Sequence, residues 1–271
     1  MNEIIYYMVD RDNLCETNYF NGITDVLNNY LTEYSIVVTA NYNTLPVTKY
    51  KKIVILGGDE GGVAGLNLYS QYPDVVVVFR FYNTIERYDN KYIFPIPIGY
   101  NCRSNGEIMV KMYPEKKISD RKYDVFYSGQ VLEWRKPLVD ALEQLSKTFN
   151  IYSQPTSGFR QGLCIDDYYK TMGDTKICVC PDGTAVDTFR FVEACGSGCV
   201  VITTLKPDLW YYHNAPVYYI NSWGELTRQF LENILTSDLD TLQTNINKYY
   251  TECLSEEAVA NYIIETIRSK Q

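Results

Sequence analysis

A chain of 271 residues, 46% of them apolar, has room for one large domain or two of about 120–140 residues, and its composition excludes intrinsic disorder. The net charge of −8 argues against a nucleic-acid-binding surface, and no apolar run is long enough to span a membrane. The eight cysteines show no disulfide-framework or zinc-site spacing, Cys178, Cys180, Cys195 and Cys199 lie in or beside apolar runs, and His213 is the single histidine. With no secretory leader and no Asn-x-Ser/Thr sequon, the chain reads as a soluble protein of a reducing, cytoplasmic compartment.

Residues 3–9 are β-rich and predict a first strand, followed by Asp10-Arg11-Asp12. Phe20, Ile23, Val26, Leu27 and Leu31 fall at helical spacing, and residues 34–40 read as a second strand. Ile53-Val54-Ile55-Leu56 is a third, fully buried strand. It runs into Gly57-Gly58-Asp59-Glu60-Gly61-Gly62, where glycines let backbone approach a ligand and two carboxylates stand at a strand's C-terminal end. A solvated turn would explain the same loop, but an acidic pair there suits a general base. Residues 75–79 form a fourth strand ending in Arg80-Phe81-Tyr82, and 92–94 a fifth, followed by the stiff run Pro95-Ile-Pro97-Ile-Gly99-Tyr100.

Residues 112–122, with Pro114 and several lysines, read as an interdomain linker. Beyond them the αβ pattern restarts: a strand at 123–127, a tight turn at Ser128-Gly129-Gln130, a helix at 134–148 with Arg135 in its first turn, a strand at 149–153 and a helix at 165–172. Residues 177–180 are a buried strand entering Pro181-Asp182-Gly183. Asp187 and Thr188 then supply N-cap chemistry for a helix of about ten residues carrying Arg190 and Glu193 on one face. The chain continues with strands at 199–202 and 215–220 and helices at 226–235, 239–250 and 256–267. Two βαβ restarts predict an α/β protein of two Rossmann-like domains, at 1–115 and 116–254, followed by a C-terminal segment at 255–271.

The stretch 176–204 supports a sharper expectation. Its Cys180-Pro181-x-Gly183 turn, Arg190, Glu193-Ala194 and Gly198-Cys199-Val200-Val201-Ile202 resemble the C-terminal signature of exostosin-type glycosyltransferases (family 47). Asp59-Glu60, then Arg80-Phe81-Tyr82, then Pro95-x-Pro97-x-Gly99-Tyr100 are similar to D-E, R-x-Y and P-L-G-Y elements that exostosin-like xylosyltransferases carry in the same order. The resemblance implies a GT-B architecture, two domains facing across a cleft with the last helix crossing back to the first. It implies an inverting transfer from a UDP-sugar to a glycan or glycoconjugate hydroxyl, with UDP-xylose the leading donor before UDP-galactose and UDP-glucuronate.

A diphosphate needs backbone N–H groups and fixed cations: on the donor side Arg135 and Arg190 can supply the cations and Ser128, Gly129, Asp182, Asp187 and Thr188 the N–H groups, with Pro181 shaping the turn they share. The resemblance gives Glu193 the ribose hydroxyls, whereas an i,i+3 surface ion pair with Arg190 is the plainer reading. Asp59 or Glu60 is the expected base, with Asp187 behind them; Asp12, Arg80 and Tyr82 fall on the acceptor side. Glutamates eight positions apart mark retaining enzymes of this architecture, but Val201 stands eight residues after Glu193.

The triplet Asp10-Arg11-Asp12 has the form of a metal-binding motif of the other major glycosyltransferase fold, yet it comes too early in the chain, and no metal or other cofactor is expected to be essential. The family's anchored Golgi members differ from this sequence, which implies a cytoplasmic version of bacterial or viral type. An epimerase of the same architecture would be expected to carry more acidic and histidine groups. A non-catalytic nucleotide-sugar or glycan-binding module is the alternative from another class.

Overall fold

The computed structural model describes residues 3–9, 15–41, 43–57, 68–81, 92–101, 116–158, 161–183, 185, 187–205 and 207–270. Two five-stranded sheets organise them, and every strand pair is parallel. The first sheet is built in chain order from β1 (Glu3–Tyr7), β2 (Tyr34–Thr39), β3 (Lys51–Leu56), β4 (Val75–Arg80) and β5 (Ile93–Pro95). Parallel strands covered on both faces favour unbroken β-branched runs, and β2 to β4 are buried along nearly their whole length. Helix α1 (Thr17–Tyr30) packs Tyr19, Phe20, Ile23 and Leu27 inward, and a short α2 (Leu68–Gln71) precedes β4.

The second sheet has the spatial order β10-β9-β8-β6-β7, from β6 (Tyr123–Gln130), β7 (Ile151–Thr156), β8 (Thr175–Cys180), β9 (Val200–Thr203) and β10 (Tyr218–Tyr219). Its first strand lies between its second and its third, so the chain reverses direction between β6 and β8. Open α/β sheets bind ligands at such a switch point, outside the strands' C-terminal ends. The intervening helices are α3 (Lys136–Leu145), α4 (Ile165–Gly173) and α5 (Phe189–Gly196). The chain closes with α6 (Arg228–Leu235), α7 (Leu239–Tyr249), a wide turn at Tyr250–Leu254 and α8 (Glu256–Arg268).

Three of the terminal helices start on side-chain caps, which satisfy otherwise orphaned N–H groups. Thr227 accepts from Phe230 N at 3.2 Å, Asp238 from Thr241 N at 3.0 Å and Ser255 from Ala258 N at 3.2 Å. Helix α8 lies against α1 of the first half, and its Tyr262 ring stacks on Trp210 at 4.3 Å and meets Phe79 edge-on at 6.3 Å. No described helix is long and apolar enough to cross a membrane, and the seven described cysteines are all free thiols.

Several local expectations are corrected. Ser128-Gly129-Gln130 is no turn: β6 continues through it, pairing with Gln154, Pro155 and Thr156. The predicted helix at 134–148 begins as a 3-10 turn at Glu133–Arg135 and ends at Leu145, where Phe149 N bonds back to Leu145 O at 3.0 Å. The strand placed at 149–153 therefore starts later, at Ile151.

The described end of the 112–122 stretch is docked onto the second half rather than loose. Ile118 is buried and its N–H donates to Gln243 Oε1 at 3.1 Å. Buried Arg121 donates to Thr175 O and Ser197 O, each at 2.8 Å, placing a cation on the C-terminal carbonyls of α5.

Candidate functional site

Both arginines expected on the donor side come to the C-terminal edge of the second sheet. Arg135 follows β6 through the 3-10 turn, and its Nε donates to Asp182 O at 2.9 Å and Nη1 to Gln130 O at 3.1 Å; Nη2 also reaches Asp182 O. It thus ties the end of β6 to the loop after β8, and the Asp182 contribution is its backbone carbonyl. Arg190 opens α5 and donates through Nη2 to Ser128 O, with its guanidinium 5.1 Å above the centre of the Tyr127 ring. Burial and the neighbouring Arg190 charge both push the Arg135 guanidinium below its ordinary range.

Two like charges gathered in a half-dry place are costly unless an anion joins them. Arg190 Nε and Thr188 Oγ1 are buried without a hydrogen-bond partner in the structure. Gly129 lets the guanidinium in: a Cβ on residue 129 would lie 2.5 Å from Arg190 Nη2.

Asp187 and Glu193 are placed differently from expectation. Thr188 is the N-cap of α5 without a side-chain cap bond, and Asp187 turns toward the first half. Asp187 Oδ2 accepts from Ile98 N at 3.2 Å and Tyr211 OH at 2.7 Å, and Oδ1 from Tyr212 OH at 3.3 Å. Burial pushes its carboxyl up to about 6, with these bonds pulling the other way. A carboxylate 2% exposed and already engaged three times is not placed to take a proton from an acceptor hydroxyl.

Glu193 is likewise no surface partner of Arg190. It is 3% exposed; Oε1 accepts from Asn101 N at 3.0 Å and Tyr169 OH at 2.9 Å, and Oε2 from Tyr168 OH at 2.8 Å. Desolvation raises its carboxyl despite those donors and the Arg190 charge.

Pro181 is buried beside the Arg135 anchor, and Arg80 ends β4 almost fully buried, its carbonyl accepting from Ile96 N at 2.9 Å. Asp12, Asp59, Glu60 and Tyr82 lie outside the described residues. Among the described residues, no three His, Cys, Asp or Glu groups gather as a metal cluster. His213 is exposed and lies 2.7 Å from Asp208 Oδ1, away from the arginines.

Sequence reasoning missed the tyrosines. Tyr168, Tyr169, Tyr211 and Tyr212 all point hydroxyls at the two carboxylates, and Trp210 Nε1 donates to Pro95 O at 2.8 Å. The only available signal was the count of 26 tyrosines, which is ordinarily a packing signal.

No family model and no curated protein matches the sequence. Among solved structures, the chain is similar to an alpha1,3-fucosyltransferase with GDP, at 11% identity and a TM-score of 0.53 over 98% of this chain and 89% of that one. It is also similar to the GtfA/B complex, at 12% identity and 0.52, and to an S. aureus TarM mutant in complex with fondaparinux, alpha-GlcNAc-glycerol and UDP, at 13% and 0.53. These two alignments cover 94% and 92% of this chain but 60% and 59% of the other, so the chain spans about three-fifths of their length. At such identities the likeness is one of fold: a mixed α/β chain with two parallel-sheet domains, arranged as in GT-B glycosyltransferases.

Proposed function

We propose that the protein is an inverting glycosyltransferase that moves a sugar from a UDP-sugar to a glycan hydroxyl. One observation carries the reading: Arg135 and Arg190 converge at the switch point of the second sheet, with Arg190 Nε and Thr188 Oγ1 unpartnered beside them. Preorganised cations there suit a diphosphate whose charge grows as the glycosidic bond breaks. The ligands named for the similar structures, the nucleoside diphosphate UDP for TarM and the sugar nucleotide GDP-fucose for the fucosyltransferase, agree with that chemistry.

In this reading the acceptor oxygen attacks the anomeric carbon as the bond to the diphosphate breaks on the opposite face. Asp59 or Glu60 takes the hydroxyl proton, and UDP departs with its charge held by the two guanidinium groups and backbone N–H groups. No metal is needed for that step. A strict Mn²⁺ dependence lost in Asp12→Ala would overturn this part. The exostosin resemblance makes UDP-xylose the first donor to try, then UDP-galactose and UDP-glucuronate.

Calorimetry with these three donors is expected to give micromolar binding to at least one, weakened about 100-fold or more in Arg190→Ala by loss of charge-assisted bonds. Donor hydrolysis or transfer to a glycan panel should fall with it. No binding to any donor overturns the reading, and binding without turnover on any acceptor makes the protein a nucleotide-sugar-binding module.

A further inference from the structure

The segment that leaves the first sheet after β5 is bonded to the second half at several points. Trp210 Nε1 donates to Pro95 O at 2.8 Å, Tyr211 OH lies 3.4 Å from Ile96 O, and Tyr169 OH lies 2.9 Å from Asn101 O. The N–H groups of Ile98 and Asn101 donate to Asp187 and Glu193, which stand at the start and middle of one helical unit. Gly99 between them has φ +81, and any Cβ there would run into the Tyr19 ring. The segment is therefore held by its backbone, at two points, by carboxylates that no cation among the described residues neutralises through a direct bond.

We propose that Asp187 and Glu193 form a two-carboxylate latch that fixes residues 96–101 on the start of α5, making Glu193 a positioning residue for the cleft wall and not a ligand of the donor ribose. A carboxylate offers about four acceptor positions. Asn101 N, Tyr168 OH and Tyr169 OH occupy three on Glu193, leaving too few for the two hydroxyls of a ribose. Tyr169 has one proton for two acceptors at 2.9 Å, Glu193 Oε1 and Asn101 O, which couples the helix to the segment from both sides. The same unit that presents Arg190 to the switch point is thereby fastened to the first half, and the latch sets how far apart the two sheet edges stand. The statement about ribose rests on the nucleotide-sugar reading; the latch itself does not.

Amide hydrogen exchange on the full chain tests the latch without any ligand. In Asp187→Ala/Glu193→Ala, exchange at Ile98 and Asn101 should accelerate by about 100-fold or more as two charge-assisted acceptors are lost, while Val54 and Val201 in the sheet cores stay within about threefold. If the double variant does not fold, Tyr168→Phe/Tyr169→Phe removes only hydroxyls and should speed Asn101 exchange about tenfold. Unchanged protection at Asn101 in whichever variant folds overturns the latch.

The ribose arm uses UDP and 2′,3′-dideoxy-UDP with the unaltered chain and Glu193→Gln. A positioning residue leaves the ratio of the two affinities within about twofold; a ribose ligand would lose tenfold or more of that discrimination, overturning the assignment. If the unaltered chain binds no UDP, the proposed function fails and the exchange arm still decides the latch.

Discussion

Asp187 carries a pH signature whose sign follows from linkage. Its folded carboxyl is raised to about 6 from an unfolded value of 3.8, so the folded chain binds the extra proton between those values. Stability from this group is greatest below pH 4, falls as pH rises to 6 and is level above it, by up to about 3 kcal/mol. The groups facing it are the tyrosines Tyr211 and Tyr212, with Tyr19 from α1 and Tyr249 from α7 close enough to feel its charge. Other carboxylates titrate as well, so the measurement is the difference in urea stability between the unaltered chain and Asp187→Asn, from pH 4 to 8. Asn keeps an acceptor for Ile98 N–H, and the variant is expected to gain on the parent as pH rises from 4 to 6, then hold level with respect to it. Gly129→Ala probes the arginine side. The new methyl displaces the flexible tip of Arg190 and sits on a backbone with φ +159, so donor binding should weaken about tenfold or more while stability drops by about 1 kcal/mol.

Among the elements, the unit β8-loop-α5-β9 was legible because its signals are local: a buried apolar run, Pro and Gly punctuation, then a short amphipathic helix ending at glycines. The continuation of β6 through Ser128-Gly129-Gln130 was not, since Ser and Gly read as a turn until β7 pairs with them. Nor was Arg121, which looks like one charge among several in a polar stretch but is a buried cap on α5. Arg121→Ala takes the guanidinium donors from the carbonyls of Thr175 and Ser197 and should cost about 3 kcal/mol in urea denaturation, without changing donor specificity.

Across the whole molecule one hydrophobic cluster runs through both halves, from Phe20 and Phe79 of the first half to Phe191 and Trp223 of the second, and includes Ile263 of α8. The three tryptophans, Trp134, Trp210 and Trp223, all lie in the second half, and Trp210 is stacked on Tyr262 of α8. Tryptophan fluorescence therefore reports the second half and the seam, and far-UV circular dichroism reports everything. The shared core predicts coincident urea transitions by the two probes; separated midpoints would mean that the halves unfold independently. Ile263→Ala should shift both together, by about 2–5 kcal/mol.

The sequence by itself determined the α/β class and the positions of most strands and helices, because hydrophobic period and turn residues act within a few positions of one another. Only the tertiary structure decided what the acidic residues of the stretch 176–204 do. Asp187 and Glu193 meet Ile98 and Asn101 across about ninety positions of chain, and their other partners are tyrosines whose hydroxyls could equally have faced water. Local patterning specifies which face of a helix is buried. What a buried carboxylate accepts from is set by the docking of the other half, where the desolvation penalty must be met by donors brought from far along the chain.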